Sequence, residues 1–319
     1  YTTDGSTPTS THGTLYSGSI TITDKVNLKA IAYKSGSPSS SILNETLRGF
    51  WATDTTDNSF YKIPALLKAS NTKAIIYVEL SRSTSVSTTH ANQIANEFSN
   101  NIYSKITTKF APESDVDSNG KVIILILDIK DGFTGSGGYV GGYFNPRNEL
   151  AQTYSNRADM VYMDCYPQVT GSNDFNITLA HEFQHLVNYN KTYLLGGGKI
   201  QDTWINEGLS SAAETIYSGN YINWKIDFYN TDSSTAIRQG VNFLSWGIYN
   251  DNNAILSNYS TVYLFFQWLK IQASNGDGIF KDILDSGFTD YRAVESAANN
   301  RLYTGTWKDF FRDWLIANA

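Results

Sequence analysis

The residues best suited to chemistry lie in one pentapeptide, His181-Glu182-Phe183-Gln184-His185. Histidines at positions i and i+4 of a helix share one face, about one turn apart, so both imidazoles can reach one metal ion. The glutamate between them can take a proton from a metal-activated water molecule without being a ligand itself. The chain has four histidines, and two of them stand in this motif. The spacing predicts a zinc-dependent hydrolytic site; the alternative is a helix with two ordinary histidines.

A third protein ligand is expected downstream, because catalytic zinc takes three protein ligands and keeps one position open. Glu207 stands near the start of the next helical segment, and a glycine-rich turn at 196–198 can fold that segment back antiparallel. Glu214 lies two turns further on the same face, so it is either a competing ligand or a residue that orients one. A further role for Glu207 is to interact favourably with the positive end of a helix.

The segments around these residues predict an α+β fold. Apolar runs indicate buried strands at 74–80 and 122–128 and a further strand at 160–163, and helical periodicity marks roughly 88–110. After Asp174 the pattern is mostly helical, so a strand-containing half is followed by a helical half. The predicted helices cover 176–190, 204–217, 260–273, 276–285, 291–299 and 306–318.

Composition excludes several classes of function. With 24 basic and 30 acidic residues the net charge is −6, so nucleic acid is not an expected partner. The longest apolar run, Val122 to Leu127, is too short to cross a bilayer. Cys165 is the only cysteine, so no internal disulfide can form. A chain rich in Ser, Thr, Asn, Tyr and Gly with one cysteine fits a secreted or surface-bound bacterial protein, although the chain contains no export signal.

The first 45 residues form a separate Thr-, Ser- and Gly-rich block with short alternating runs. Its segments YTTDGSTPT, LYSGSITI and NLKAIAYKSG resemble the fibronectin-III-associated repeat, also known as the chitobiase C-terminal-like module. The resemblance implies a partial accessory β-sandwich. A spacer role is favoured over contact with glycan or cell wall.

The chain from about 47 to 319 resembles the hyicolysin-type bacterial peptidases, which are gluzincin zinc metallopeptidases. The resemblance implies a thermolysin-like, two-lobed fold for 46–319, with a sheet-containing lobe at 46–192 and a mainly helical lobe at 193–319. The motifs that carry it, in chain order, are Gly49-Phe50-Trp51, the acidic turn at 115–122, Gly142-Tyr143-Phe144, the run at 179–185 and the run at 204–209.

This resemblance implies a secreted zinc endopeptidase that acts on proteins or peptides. His181, His185 and Glu207 would be the metal ligands, and Glu182 the general base. An exopeptidase signature that would grip a free N-terminus is not found in the sequence, which favours cleavage inside chains.

One departure from the thermolysin-type pattern concerns the residue that orients a zinc histidine. Those relatives have an acid four residues after the ligand glutamate, whereas this chain has Ser211. Glu214 or Asp202 is therefore expected to take that role. Gluzincins often stabilise the oxyanion with a Tyr or His from a later helix, and Tyr263 and Tyr259 are the candidates here.

Two alternatives remain open from the sequence. Asp115, Asp117 and Asn119 resemble the start of a Ca²⁺ loop, but Ile126 stands where the bidentate glutamate would be, so a turn leading into the strand is favoured. The whole chain could instead be an adhesion protein whose β-module binds glycan beside an inactive peptidase-like scaffold, or a metal hydrolase acting on another bond. The intact Glu182 argues against an inactive enzyme.

Overall fold

The computed structural model describes residues 1–231, 237–246, 252–301 and 304–318, with backbone only for 252–254. The chain divides into two compact units. The first comprises Tyr1–Glu97 and Val116–Ser172, and the second comprises Phe98–Asp115 and Asn173–Ala319. Strands gather in the first unit and helices in the second, which confirms the α+β class that the sequence predicts. Among the described residues, no helix combines the length and apolarity needed to span a bilayer.

The first unit is built on a seven-stranded mixed sheet, counted over its described residues. The strands are β1 (Val26–Ala30), β2 (Leu43–Thr53), β3 (Phe60–Ser70), β4 (Ala74–Glu79), β5 (Val122–Leu127), β6 (Gly142–Phe144) and β7 (Met160–Asp164). Their order in the sheet is β1-β2-β3-β4-β5-β7-β6. β4 pairs parallel with β5 and β5 with β7, while the other neighbours are antiparallel.

The centre of this sheet is apolar on both faces. Every residue of β5 is buried, as expected for a parallel strand covered on both sides. Phe50, Tyr77, Leu125 and Met160 pack in one core cluster on the sheet. β4, β5 and β7 fall where the sequence predicts strands. β2 runs through residues 45 and 46, so the predicted boundary between module and peptidase lies inside a strand that pairs with β1; that boundary stays a prediction.

The described residues also form nine α-helices. The predicted helix at 88–110 is present but interrupted by a π-helical turn, Phe98–Ile102, whose extra residue per turn a 3.6-residue period does not reveal. The helices are α1 (Thr88–Glu97), α2 (Tyr103–Lys109), α3 (Asn173–Tyr189), α4 (Thr203–Ser218), α5 (Asn223–Thr231), α6 (Asn252–Gln272), α7 (Gly278–Asp285), α8 (Tyr291–Arg301) and α9 (Trp307–Ala317).

Within the second unit, α3 packs against α4, and α4 and α5 both pack against α6. One face of α3 is fully buried through Leu179, Phe183, Leu186 and Val187. That anchorage fixes the rotation of the helix, so its two histidines are held towards α4.

Candidate metal centre and active site

The two histidines of α3 and one glutamate of α4 converge on one point. His181 Nε2 and His185 Nε2 are 3.1 Å apart. Glu207 Oε2 lies 3.3 Å from the first of these nitrogens and 3.6 Å from the second. The structure therefore brings together the three residues that the sequence names as ligands.

This triangle of atoms has the dimensions of a tetrahedral zinc site. Bonds of 2.0–2.1 Å at tetrahedral angles separate neighbouring ligand atoms by about 3.3 Å, close to the three observed distances. Glu207 Oε2 is shielded from solvent and receives no hydrogen bond from the described residues. A buried carboxylate oxygen facing two imidazole nitrogens needs a cation, so the residues present fit zinc.

The Nδ1 atom of each imidazole, which lies on the side away from the metal position, also has a polar partner. His181 Nδ1 lies 2.7 Å from Glu214 Oε1, and His185 Nδ1 lies 3.0 Å from both Asn206 Oδ1 and Ser210 Oγ. With its proton on Nδ1, each ring donates to these oxygens and turns the lone pair of Nε2 towards the metal position.

Of the two acids predicted to orient a histidine, Glu214 makes the contact. Asp202 precedes α4, where its backbone carbonyl accepts hydrogen bonds from the amides of Ile205 and Asn206. The two roles that the sequence left open for Glu207 and Glu214 are thus separated by geometry, since one carboxylate faces Nε2 of His181 and the other faces Nδ1.

Carboxylate groups give the site a strongly negative electrostatic environment in the absence of metal. Burial by itself would lower the pKa of His181, but the carboxylates of Glu207, Glu214 and Glu182 raise that pKa to about 10. Burial opposes ionisation of Glu207 and Glu214 too, yet the neighbouring histidines and Lys225 hold the pKa of both carboxyls below the usual value. A cation is therefore favoured at this point of the structure.

Glu182 is buried, with 7% of its surface exposed. Its charge contributes to raising the pKa of His181, its neighbour in the sequence, and also that of Tyr259. This position suits a group that exchanges a proton beside the metal.

The two tyrosine candidates occupy different environments. Tyr263 is fully buried, and its hydroxyl accepts a 2.8 Å hydrogen bond from the backbone amide of Ile222 and a weaker one from Thr215. Tyr259 lies one turn earlier, is only partly buried, and has its ring centroid 6.5 Å from that of His181. Geometry therefore favours Tyr259 over Tyr263 as the hydroxyl that can reach a substrate oxygen.

The approach of α4 to α6 depends on a glycine beside the third ligand. A Cβ on Gly208 would clash with the ring of Phe266 on α6. That ring is fixed in turn by Trp204, Phe265 and Phe280. Only glycine permits this close packing, which sets where Glu207 stands.

The acidic turn before β5 belongs to the first unit from Val116 onwards. Asp117 accepts hydrogen bonds from the backbone and side-chain nitrogens of Asn119, whose own oxygen accepts from the amide of Lys121. Gly120 completes the turn with φ +67°. These bonds describe a turn leading into a strand, and a Ca²⁺ ion held by Asp115, Asp117 and Asn119 stays a prediction.

Lys225 on α5 is a site residue that the sequence did not indicate. It is buried and paired with Glu214, and its neighbours Trp224 and Ile226 give no sign of that pairing. Only the packing of α5 reveals it.

Comparison with known proteins agrees with both resemblances. A family model described as "Fn3 associated" matches residues 1–47. The neutral metalloprotease ShpI of Staphylococcus hyicus is 36% identical over 271 residues, which cover 83% of this chain and 60% of that protein. The chain thus spans less than two thirds of this relative's length. The predicted relationships to a bacterial metallopeptidase and to the fibronectin-III-associated module are confirmed.

Proposed function

We propose, from this homology with a neutral metalloprotease, that the chain is a zinc-dependent endopeptidase that hydrolyses peptide bonds in proteins or peptides. The observation that carries the proposal is the triangle formed by His181, His185 and Glu207, whose edges match those of a tetrahedral zinc site. The buried Glu182 beside it supplies the proton acceptor that a hydrolase needs and a structural metal site does not.

His181, His185 and Glu207 would hold the zinc ion. Zinc bound there supplies Lewis acidity, which polarises the scissile carbonyl and makes a water molecule more acidic. Glu182 accepts the proton of the attacking water and then delivers it to the amine that leaves.

Tyr259 is proposed to stabilise the oxyanion. Burial raises the pKa of its hydroxyl well above the usual value, and the charges of Glu207 and Glu182 raise it further. The hydroxyl therefore keeps its proton and can donate a hydrogen bond to the carbonyl oxygen as negative charge develops. Such a bond strengthens in the transition state, so it contributes to kcat more than to substrate binding.

We also propose that the protein is exported from a bacterial cell, because its composition combines one cysteine with many small polar residues. The N-terminal module would act as a spacer, with contact to glycan or cell wall as the alternative.

We also propose a test of the Ca²⁺ site predicted at Asp115, Asp117 and Asn119. Calorimetric titration with Ca²⁺ measures binding there, and absence of heat would leave zinc as the only proposed metal.

The decisive experiment measures metal content and casein cleavage on the same preparation. We expect about one zinc per chain, cleavage that stops with a chelator, and loss of both zinc and activity in His181→Ala. His12→Ala is the matched control, because this exposed histidine lies in the N-terminal module. A chain without zinc, or cleavage indifferent to the chelator, would contradict the proposal. No cleavage combined with tight retention on polysaccharide would favour the adhesion protein.

A further inference from the structure

The side chain of Lys225 is 2% exposed. Removing an ammonium group from water is costly, and lysine is rarely found so deeply buried without a partner. A buried ion pair also gives weak net stabilisation, because apolar residues of similar volume often serve a fold as well or better. The position of this lysine therefore calls for an explanation other than packing.

The ammonium group has two polar partners and lies among aromatic rings. Lys225 Nζ donates to Glu214 Oε1 at 2.7 Å and to Ser211 Oγ at 2.9 Å. It also lies 5.4–5.8 Å from the ring centroids of three aromatic side chains, Trp224, Tyr259 and Tyr263. Rings at this distance stabilise a desolvated cation and exclude water from it.

The oxygen that Lys225 contacts is the same one that holds His181. Glu214 Oε1 accepts from Lys225 Nζ and, also at 2.7 Å, from His181 Nδ1. A continuous series of short polar contacts thus runs from the lysine through one carboxylate oxygen to the imidazole. The other nitrogen of that imidazole faces Glu207 and His185.

The charges around the metal position support the same connection. Glu182, Glu207 and Glu214 contribute three negative charges, and all three residues lie close to His181. Lys225 offsets one of them, so with neutral imidazoles the site has a net charge of −2 before metal binds. A divalent cation neutralises that charge. Without Lys225 the net charge would be −3, which a divalent cation does not neutralise.

We propose that Lys225 is a positioning residue for the metal centre: it fixes Glu214 so that this carboxylate holds His181 with Nε2 directed at the metal. The inference rests on the proposed zinc site and goes beyond it, because it assigns a role to a residue that contacts neither the metal position nor the substrate. Ser211 takes part as the second acceptor that sets where the ammonium group sits.

Removing the lysine has two opposing effects on the metal. A more negative site attracts a cation more strongly, but this attraction acts through the intervening carboxylate and ring. Loss of the donor frees Glu214 to turn, and this disturbs a ligand directly. We expect the second effect to prevail, because partners of ligand histidines typically control metal affinity by roughly 10- to 100-fold.

The test compares the wild-type chain with Lys225→Met, Glu214→Gln and the double variant. Zinc affinity is measured by competition with a chromophoric chelator, and ligand geometry by the visible spectrum of the Co²⁺-substituted protein. We expect each single variant to lose zinc affinity by at least about tenfold and to change the Co²⁺ spectrum. The double variant should be no worse than Glu214→Gln alone, because the lysine acts through that carboxylate.

Lys105→Met is the control, since this exposed lysine of the second unit also donates to a residue of α4, at the backbone carbonyl of Tyr217. Its zinc affinity and spectrum should stay those of the wild type. If Lys225→Met does not fold, Lys225→Gln keeps an amide donor without the charge and should show a smaller loss than Glu214→Gln.

The inference is overturned if Lys225→Met binds zinc as tightly as, or more tightly than, the wild type with an unchanged Co²⁺ spectrum, or if the losses of the two single variants multiply in the double variant. Failure of the proposed function looks different, because the wild-type chain itself would then bind no zinc or cleave no casein.

Discussion

Glu207 and Glu214 stand two turns apart on α4 and approach opposite nitrogens of one imidazole. Glu207 Oε2 lies 3.3 Å from Nε2 of His181, and Glu214 Oε1 lies 2.7 Å from Nδ1. In the proposed site the first carboxylate would therefore be a metal ligand together with the ring, while the second would hold the ring in its orientation through Nδ1. The two carboxylates are chemically identical, and their positions along α4 decide which nitrogen of His181 each of them faces.

This division predicts different consequences for the two amide variants. Glu207→Gln removes a charged ligand, so we expect zinc affinity to fall by more than about 100-fold. Glu214→Gln leaves all three ligands in place, so the loss should stay within the roughly 10- to 100-fold range of an orienting partner. Chelator competition on both variants measures the difference, and equal losses would show that the two carboxylates do not differ in role.

Glu182→Gln should separate metal binding from catalysis. The amide is almost isosteric with the carboxylate but cannot accept a proton at neutral pH, and the residue is not a proposed ligand. We expect the variant to fold, to keep about one zinc per chain and to lose kcat by about 100- to 10,000-fold. Metal analysis and casein hydrolysis on the same sample check this; full activity would remove Glu182 from the mechanism.

The proposed site residues on α3 could be predicted from the sequence because a helix places residues at a fixed spacing on one face. For that reason, the sequence alone was enough to single out His181, Glu182 and His185. Tyr259 and Tyr263 could not be separated in this way, since residues four apart lie on the same face. Only the contact of α6 with Ile222, which lies between α4 and α5, shows which hydroxyl is fixed by a backbone amide.

Long-range packing explains what else the sequence did not indicate. Lys225 reaches Glu214 because α5 and α4 both pack against α6, and no local pattern specifies such an arrangement. The π-helical turn at Phe98–Ile102 was missed for a related reason, because apolar residues four apart continue across it and conceal the extra residue in the turn.

The two tyrosines provide a paired test of the oxyanion assignment. Tyr259→Phe should lower kcat by about 100- to 1,000-fold with little change in KM, because the lost hydrogen bond forms mainly in the transition state. Tyr263→Phe should leave kcat unchanged and lower the free energy of unfolding by about 1 kcal/mol, since it removes the acceptor for the amide of Ile222. The reverse pattern in steady-state kinetics would restore Tyr263 as the candidate.

Gly208→Ala tests whether the close packing of α4 on α6 positions the third ligand. The added methyl group would clash with the ring of Phe266. We expect a loss of about 1–3 kcal/mol of stability from overpacking, with weaker zinc binding because Glu207 shifts with its helix. Urea unfolding and metal competition measure the two effects. Gly18→Ala, where nothing lies within 4 Å of the added Cβ, should change neither.

Asp164, at the end of β7, should make stability depend on pH. Burial raises the pKa of this carboxyl to about 6, above its ordinary 3.8, although the amides of Ile129, Tyr166 and Gln168 donate to it. Folding therefore favours the protonated form. Its stabilising contribution is fully present below pH 3.8 and is lost as the pH rises through 6.

Asp164→Asn cannot titrate, so the free energy of unfolding should fall less steeply between pH 4 and pH 6 in this variant than in the wild type. The comparison uses slopes, because an amide can satisfy fewer of the backbone donors and the variant is expected to be less stable at every pH. Urea unfolding at half-unit steps on metal-free protein provides the measurement. Parallel curves for the two proteins would show that the buried carboxyl keeps its ordinary pKa, held there by the same amides that surround it.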